Sequence, residues 1–364
     1  MSKAIRRKLN LALQGGGAHG AFTWGVLDRI VEEPGLEIGW ISGTSAGAVN
    51  GVALACGLAH NGAAGAQETM RRVWTAVVGA NDTPDLVRMN PLLAAQWAGL
   101  KNSSALAQMA TMFSPYDFNP LGIDPLRKLL AAHLDVDLLR TSDGPELLIA
   151  ATDIATGRAR LFRRAEMSID AVLASACLPT LSHAVEIDGR AYWDGGFSAN
   201  PDLTTLAAES PIEDTLVVQL SPLSRPAKPT SARDIAGHVS HLTFVRPYVA
   251  EIETILQLRR AFGERPARRW FETLLPSTAS HVGTAQRIAA HRFHLIDAGR
   301  FTANLAIETQ AKPEQEMITR LFNAGRSEAA KWLDRSLNSV GRWDTACFAG
   351  RMAARDAVLV EAAA

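Results

Sequence analysis

Residues 11–20 read LALQGGGAHG. An apolar run, LNLAL at residues 9–13, enters a turn that is almost bare backbone. Helical spacing of Phe22, Val26, Leu27 and Ile30 follows directly. The pattern predicts a strand, a glycine turn and a helix. Residues 15–20, GGGAHG, also match G-x-G-x-x-G, which dinucleotide-binding folds place after their first strand. That use wants an acidic residue about 20 positions on, and Glu37 is a candidate.

Moving outward, IGWIS (38–42) is the next strand candidate, and residues 48–60 read as a buried helix rich in Ala and Gly. Between them lies GTSAG (43–47), a fit to G-x-S-x-G. In such an elbow the chain turns sharply so that Ser45 projects from the apex. Gly43 and Gly47 remove Cβ clashes, and the helix N-terminus favours developing negative charge. Adjacent strand-to-helix turns of an α/β sheet open on one edge. The two turns therefore bring backbone N–H donors beside a serine, which is what acyl transfer requires.

A serine hydroxyl needs a base. In the order Ser, Asp, His, a late histidine would serve, and His238, His241, His281, His291 and His294 qualify by position only. YWDGGFSANP (192–201) offers another base, Asp194, which follows a strand candidate and precedes Gly195 and Gly196. Taken alone, that stretch reads as a hairpin exit with an Asx turn.

Further strands are expected at ELLIAATDI (146–154), at RARLFRR (158–164) pairing back on it, and at TLVVQL (215–220). A hairpin is expected in AVEIDGRAYWDGG, turning at Asp188-Gly189. Residues 81–125 include Met89, Trp97, Met109, Met112 and Phe113 among Pro, Asn and Ser. They read equally as core packing and as a lid or acyl-chain wall. SPLSRPAKPT, from Ser221, is a Pro-rich linker, and residues 231–264 and 313–335 read as long amphipathic helices. The division expected is an α/β catalytic domain over 9–225 and a helical C-terminal extension over 226–364.

The 364 residues carry 37 basic and 37 acidic side chains, a balance that argues against nucleic acid as a partner. Three cysteines without a CxxC pair argue against a disulfide framework or a zinc site. Nothing calls for a metal or an organic cofactor. The start, MSKAIRRKLN, is followed by no long apolar region, so no secretory signal is expected, and no spanning helix is expected anywhere. The expectation is a cytoplasmic protein with peripheral membrane contact. Oligomeric state is not legible.

GGGAHG, GTSAG and DGG, in that order, resemble the patatin-like phospholipases. ASACLPTLSHAVEIDGRAYWDGG (174–196) is similar to the stretch ahead of that family's catalytic aspartate, and the resemblance covers about residues 9–221. It implies a three-layer α/β/α fold with a mostly parallel central sheet. It implies a Ser–Asp dyad without histidine: Ser45 as nucleophile, Asp194 as base, and Gly15, Gly16, Gly17 and Ala18 as the oxyanion-hole region. His19, Gly20, Gly43, Gly47, Gly195 and Gly196 support these motifs. His19 departs from the pattern, since many relatives carry Arg or Lys there. A neutral imidazole adds less positive charge near an oxyanion, and His19 stays open as a second proton carrier.

The implied activity is hydrolysis of lipid acyl esters, glycerophospholipid or lysophospholipid, through an acyl-enzyme. A thioesterase, a polyester depolymerase or an acyl transferase would use the same dyad. Two readings lie outside this chemistry: a dinucleotide-dependent oxidoreductase, resting on GGGAHG alone, and a catalytically silent binding or regulatory protein.

Overall fold

Alternation along short apolar strands builds the sheet and assigns its two faces. In the computed structural model, which describes residues 7–79, 114–119, 122, 124–225, 228–263, 276–302, 305 and 313–361, β1 (Arg7–Leu13) turns Leu9, Leu11 and Leu13 to one core and Ala12 to the other. β2 (Leu36–Thr44), β3 (Glu146–Asp153) and β7 (Asp214–Gln219) continue the pattern: Leu147 and Ile149 oppose Leu148, and Leu216 and Val218 oppose Val217. Strands buried on both faces are what a sheet sandwiched between helices requires.

The strand order is β5-β6-β3-β2-β1-β7-β8, with β4 (Ala159–Arg163) also pairing β3. The run from β3 to β8 (Arg292–Asp297) is parallel, whereas β4, β5 (Val185–Ile187) and β6 (Arg190–Asp194) pair antiparallel. The β5–β6 hairpin turns at Asp188 and Gly189, with φ of 51° and 74°, the double left-handed turn its Asp-Gly pair favours.

Helices cover both faces. α1 (Ala21–Ile30) and α2 (Ala46–Gly79), the latter broken at Asn61–Gly62, lie on one side. α3 (Pro125–His133), α4 (Val136–Thr141) and α5 (Ile169–Ser175) extend that layer. α6 (Thr204–Glu209), α7 (Ala232–Gly263) and α8 (Pro276–Ala290) cover the other. α9 (Gln315–Ser336) joins the first layer and α10 (Phe348–Glu361) the second. This is the three-layer α/β/α arrangement with a mostly parallel sheet. Among the described residues no helix is long and apolar enough to cross a membrane.

The described part of residues 226–364 is mostly helical, and it also completes the body of the fold. β8 adds an edge strand in parallel register with β7. Its pattern, RFHLID, hides a strand because His294 occupies a fully buried position. Asp214 Oδ1 accepts from His294 Nε2 at 3.1 Å, and Thr345 Oγ1 meets its Nδ1 at 2.8 Å, so the imidazole is satisfied.

α9 crosses α1 backbone to backbone. A Cβ at Gly25 would lie 2.0 Å from Phe322 O, and one at Gly325 would lie 2.1 Å from Phe22 O. Trp24 fills the seam, 4.1 Å from Phe322 and stacked on Trp74. Arg326 pairs with Asp28 and Glu32 across it. Residues 81–113 of the expected insertion, with its Met, Trp and Phe side chains, lie outside the described residues. The one-turn helix Pro115–Phe118 is described, and it sets Tyr116 on His183, ring centroids 4.0 Å apart.

Gly325→Val should therefore force α9 off α1 and lower unfolding free energy by roughly 1–3 kcal/mol or more. Urea titration followed by tryptophan fluorescence reads this directly, because Trp24 sits in the contact.

Candidate active site

Two turns meet at the carboxyl edge of the sheet. β2 ends at Thr44, and Ser45 takes φ 53° before α2 begins. That left-handed conformation strains a residue with a Cβ by about 1–3 kcal/mol and aims the hydroxyl out of the turn. Two bonds hold it: Ser45 N–H donates to Ser175 Oγ at 3.0 Å, and Thr44 Oγ1 donates to the Ala199 carbonyl at 2.8 Å. The glycine turn after β1 lies against this elbow. A Cβ on Gly15 would come 2.9 Å from Ser45 Cβ and 3.0 Å from Thr44 O.

Asp194 closes β6 and is only 1% exposed. Its N–H donates to the Cys177 carbonyl at 2.8 Å, and its own carbonyl accepts from Thr152 Oγ1 at 2.8 Å. Oδ1 accepts from Gly196 N–H at 2.7 Å, and the Ser45 hydroxyl is near enough to the same carboxylate to favour its ionised form. Burial raises the carboxyl pKa to about 6, against the opposing pull of the Gly196 bond and the Ser45 hydroxyl.

Ser45, Asp194 and the glycine turn share a cavity of about 610 Å³. That size suits a small-molecule ligand. Its apolar walls are Leu178, Leu181 and Phe197 on one side and Val239 and Phe244 of α7 on the other. A helix from beyond the Pro-rich linker therefore walls the site, a role its periodicity alone did not reveal.

The residues expected from sequence divide by position. Gly15, Gly16 and Gly17 line the cavity, whereas Ala18 is buried in the core. Gly15 N–H is committed to Asn200 Oδ1 at 2.7 Å, so it anchors the turn. Asn200 lies in YWDGGFSANP, where no sequence signal sets it apart. Its Nδ2 donates to the Phe244 carbonyl at 2.9 Å, so one buried amide ties the glycine turn to α7.

His19 is buried and lies outside the cavity lining; burial, then the Arg225 charge, pushes its pKa down to about 4, leaving it neutral at pH 7. His291 and His294 serve β8, with His291 bonded to Thr215 Oγ1 at 2.7 Å. His294 meets Asp214, the first residue of β7, at the end of the sheet away from Ser45. His238 and His241 face a different groove of α7, and the His281 side chain is outside the described set. Glu37 lies near the start of β2, paired with Lys8 at 2.9 Å, and so is remote from the glycine turn.

The family model described as "Patatin-like phospholipase" matches residues 11–207, more than half of the chain. Comparison with curated proteins gives no match. The crystal structure of VipD from Legionella pneumophila aligns at 15% sequence identity over 90% of this chain and 67% of that one, with a TM-score of 0.39, a likeness too slight to argue from.

Asn200→Ala should leave the Gly15 N–H without its acceptor inside the protein. The expected cost is about 1–3 kcal/mol of unfolding free energy for that buried donor, read by chemical denaturation. Asn200→Asp, which keeps the acceptor and loses the donor to Phe244, separates the two bonds.

Proposed function

The chain belongs to the patatin-like phospholipase family, and we propose that it is a serine lipid acyl hydrolase working through a Ser45–Asp194 dyad. One observation carries the reading: the Ser45 hydroxyl and the buried Asp194 carboxylate share the wall of one apolar cavity. Burial makes Asp194 a stronger base than an exposed aspartate, and in the proposed reaction it takes the Ser45 proton.

In the proposed reaction Ser45 Oγ attacks the ester carbonyl carbon while its proton passes to Asp194. The N–H groups of Gly16 and Gly17 receive the oxyanion, where one aligned donor can contribute about 3–4 kcal/mol. Collapse expels the alcohol, which takes the proton from Asp194. Water then attacks the acyl-enzyme, Asp194 accepts its proton, and the fatty acid leaves as Ser45 is restored. The acyl chain lies along Phe197, Val239 and Phe244. Glycerophospholipid or lysophospholipid is the proposed substrate class, met by peripheral contact with the lipid phase. Transfer of the same acyl group to another alcohol or thiol would need only a different acceptor in the second half.

Ser45→Ala should abolish release of fatty acid from lysophospholipid micelles. Asp194→Asn should slow it by about 10²–10⁴-fold. The base acts ionised, so kcat/KM should be level above about pH 7, half-maximal near the Asp194 pKa of about 6, and fall towards tenfold per unit well below it. A pH–rate profile without that acid limb, on a substrate that does not itself titrate, would contradict the assignment of Asp194.

A further inference from the structure

The first turns of α7 carry an apolar ridge that the fold does not cover. Ile235, Val239 and Leu242 recur at i, i+4 and i+7 and are 48%, 58% and 54% exposed. Burial of this helix on the body begins only at His241. Leu181, 54% exposed, stands across the cavity mouth, and both Leu181 and Val239 also line the cavity. The apolar surface is thus continuous from Phe197 and Phe244 inside to Ile235 outside. Among the residues lining the cavity, Asp194 alone is charged.

The other flank of the ridge is cationic. A groove of about 110 Å³ beside Leu242 is lined by Arg225, Arg246, Arg355, His238 and His241, with no carboxylate among its lining residues. Arg225 Nε is buried there without a hydrogen-bond partner. Glu253 answers part of this charge, pairing with Arg246 at 2.9 Å and lying 3.9 Å from Arg355. Asp234 turns away to Ser231 at the helix start. Arg225 is left unneutralised by any ion pair among the described residues.

We propose that this face of α7 is a docking surface for an anionic phospholipid bilayer. Ile235, Val239 and Leu242 seat among acyl chains, and Arg225 and Arg355 face lipid phosphates. The cavity then opens onto the bilayer. The proposal rests on reading the cavity as an acyl-ester site, and its test is independent of turnover.

The test is co-sedimentation of full-length Ser45→Ala protein with vesicles of phosphatidylcholine alone and of equimolar phosphatidylcholine and phosphatidylglycerol. The inactive protein should bind the mixed vesicles more tightly. Ile235→Asp with Leu242→Asp should weaken that binding at least tenfold, since two apolar side chains would be replaced by carboxylates that the acyl region rejects. Arg355→Gln should weaken it about fivefold, and only on the anionic vesicles. With Ser45 intact, the Ile235→Asp/Leu242→Asp protein should turn over a soluble short-chain ester within about twofold of wild type, because neither side chain lines the cavity. Vesicle binding unchanged by the paired substitution, or no binding by the folded Ser45→Ala protein, overturns the proposal. Vesicle binding without ester turnover by wild type would instead keep the docking surface and remove the hydrolase reading.

Discussion

The missing side chain at Gly15 sets the distance between two turns, and the geometry of the site follows from that distance. With a Cβ 2.9 Å from that of Ser45, the turn after β1 could not rest against the elbow after β2. Bare backbone there brings Gly16 and Gly17 to the wall that holds the serine. Their conformations come from parallel strands side by side, so the sheet positions the N–H groups proposed as oxyanion donors before any ligand arrives. Preorganised donors cost no rearrangement when charge develops. Asn200 adds the third point of attachment. It links Gly15 to α7 through two bonds of one side chain.

That link explains why the region after the Pro-rich linker cannot be treated as an appendage. β8 covers the open edge of β7, and α9 meets α1 at a crossing close enough to demand glycine on both helices. α7 supplies both a cavity wall and the outward ridge beside its mouth. The motifs of residues 15–196 pack against side chains contributed from beyond residue 231.

What was legible in the sequence was local. Apolar runs bounded by glycine marked β1 and β2, and Asp188-Gly189 marked its hairpin because both residues adopt positive φ. GTSAG marked the elbow because the motif encodes its own turn. Other features depend on partners far along the chain. Asn200 meets Gly15 across 185 positions, and no spacing rule connects an amide to a peptide N–H at that range. β8 was hidden by a buried imidazole whose acceptor, Asp214, lies on another strand. The helix expected over 231–264 is present as α7, but its apolar residues spread around it without one amphipathic face, so the sequence did not say which side would meet the cavity. The standing of Gly15 as a tether beside Gly16 and Gly17 likewise needed Asn200 in place.

The central claim is that Ser45 is activated by Asp194. Labelling with a lipid-like fluorophosphonate, followed by intact-mass and peptide analysis, measures that activation without presuming a substrate. The account predicts one adduct per chain, on Ser45, absent in Ser45→Ala and formed much more slowly in Asp194→Asn. Labelling of Ser45 at the full wild-type rate in folded Asp194→Asn protein would contradict it, because the base would then lie elsewhere.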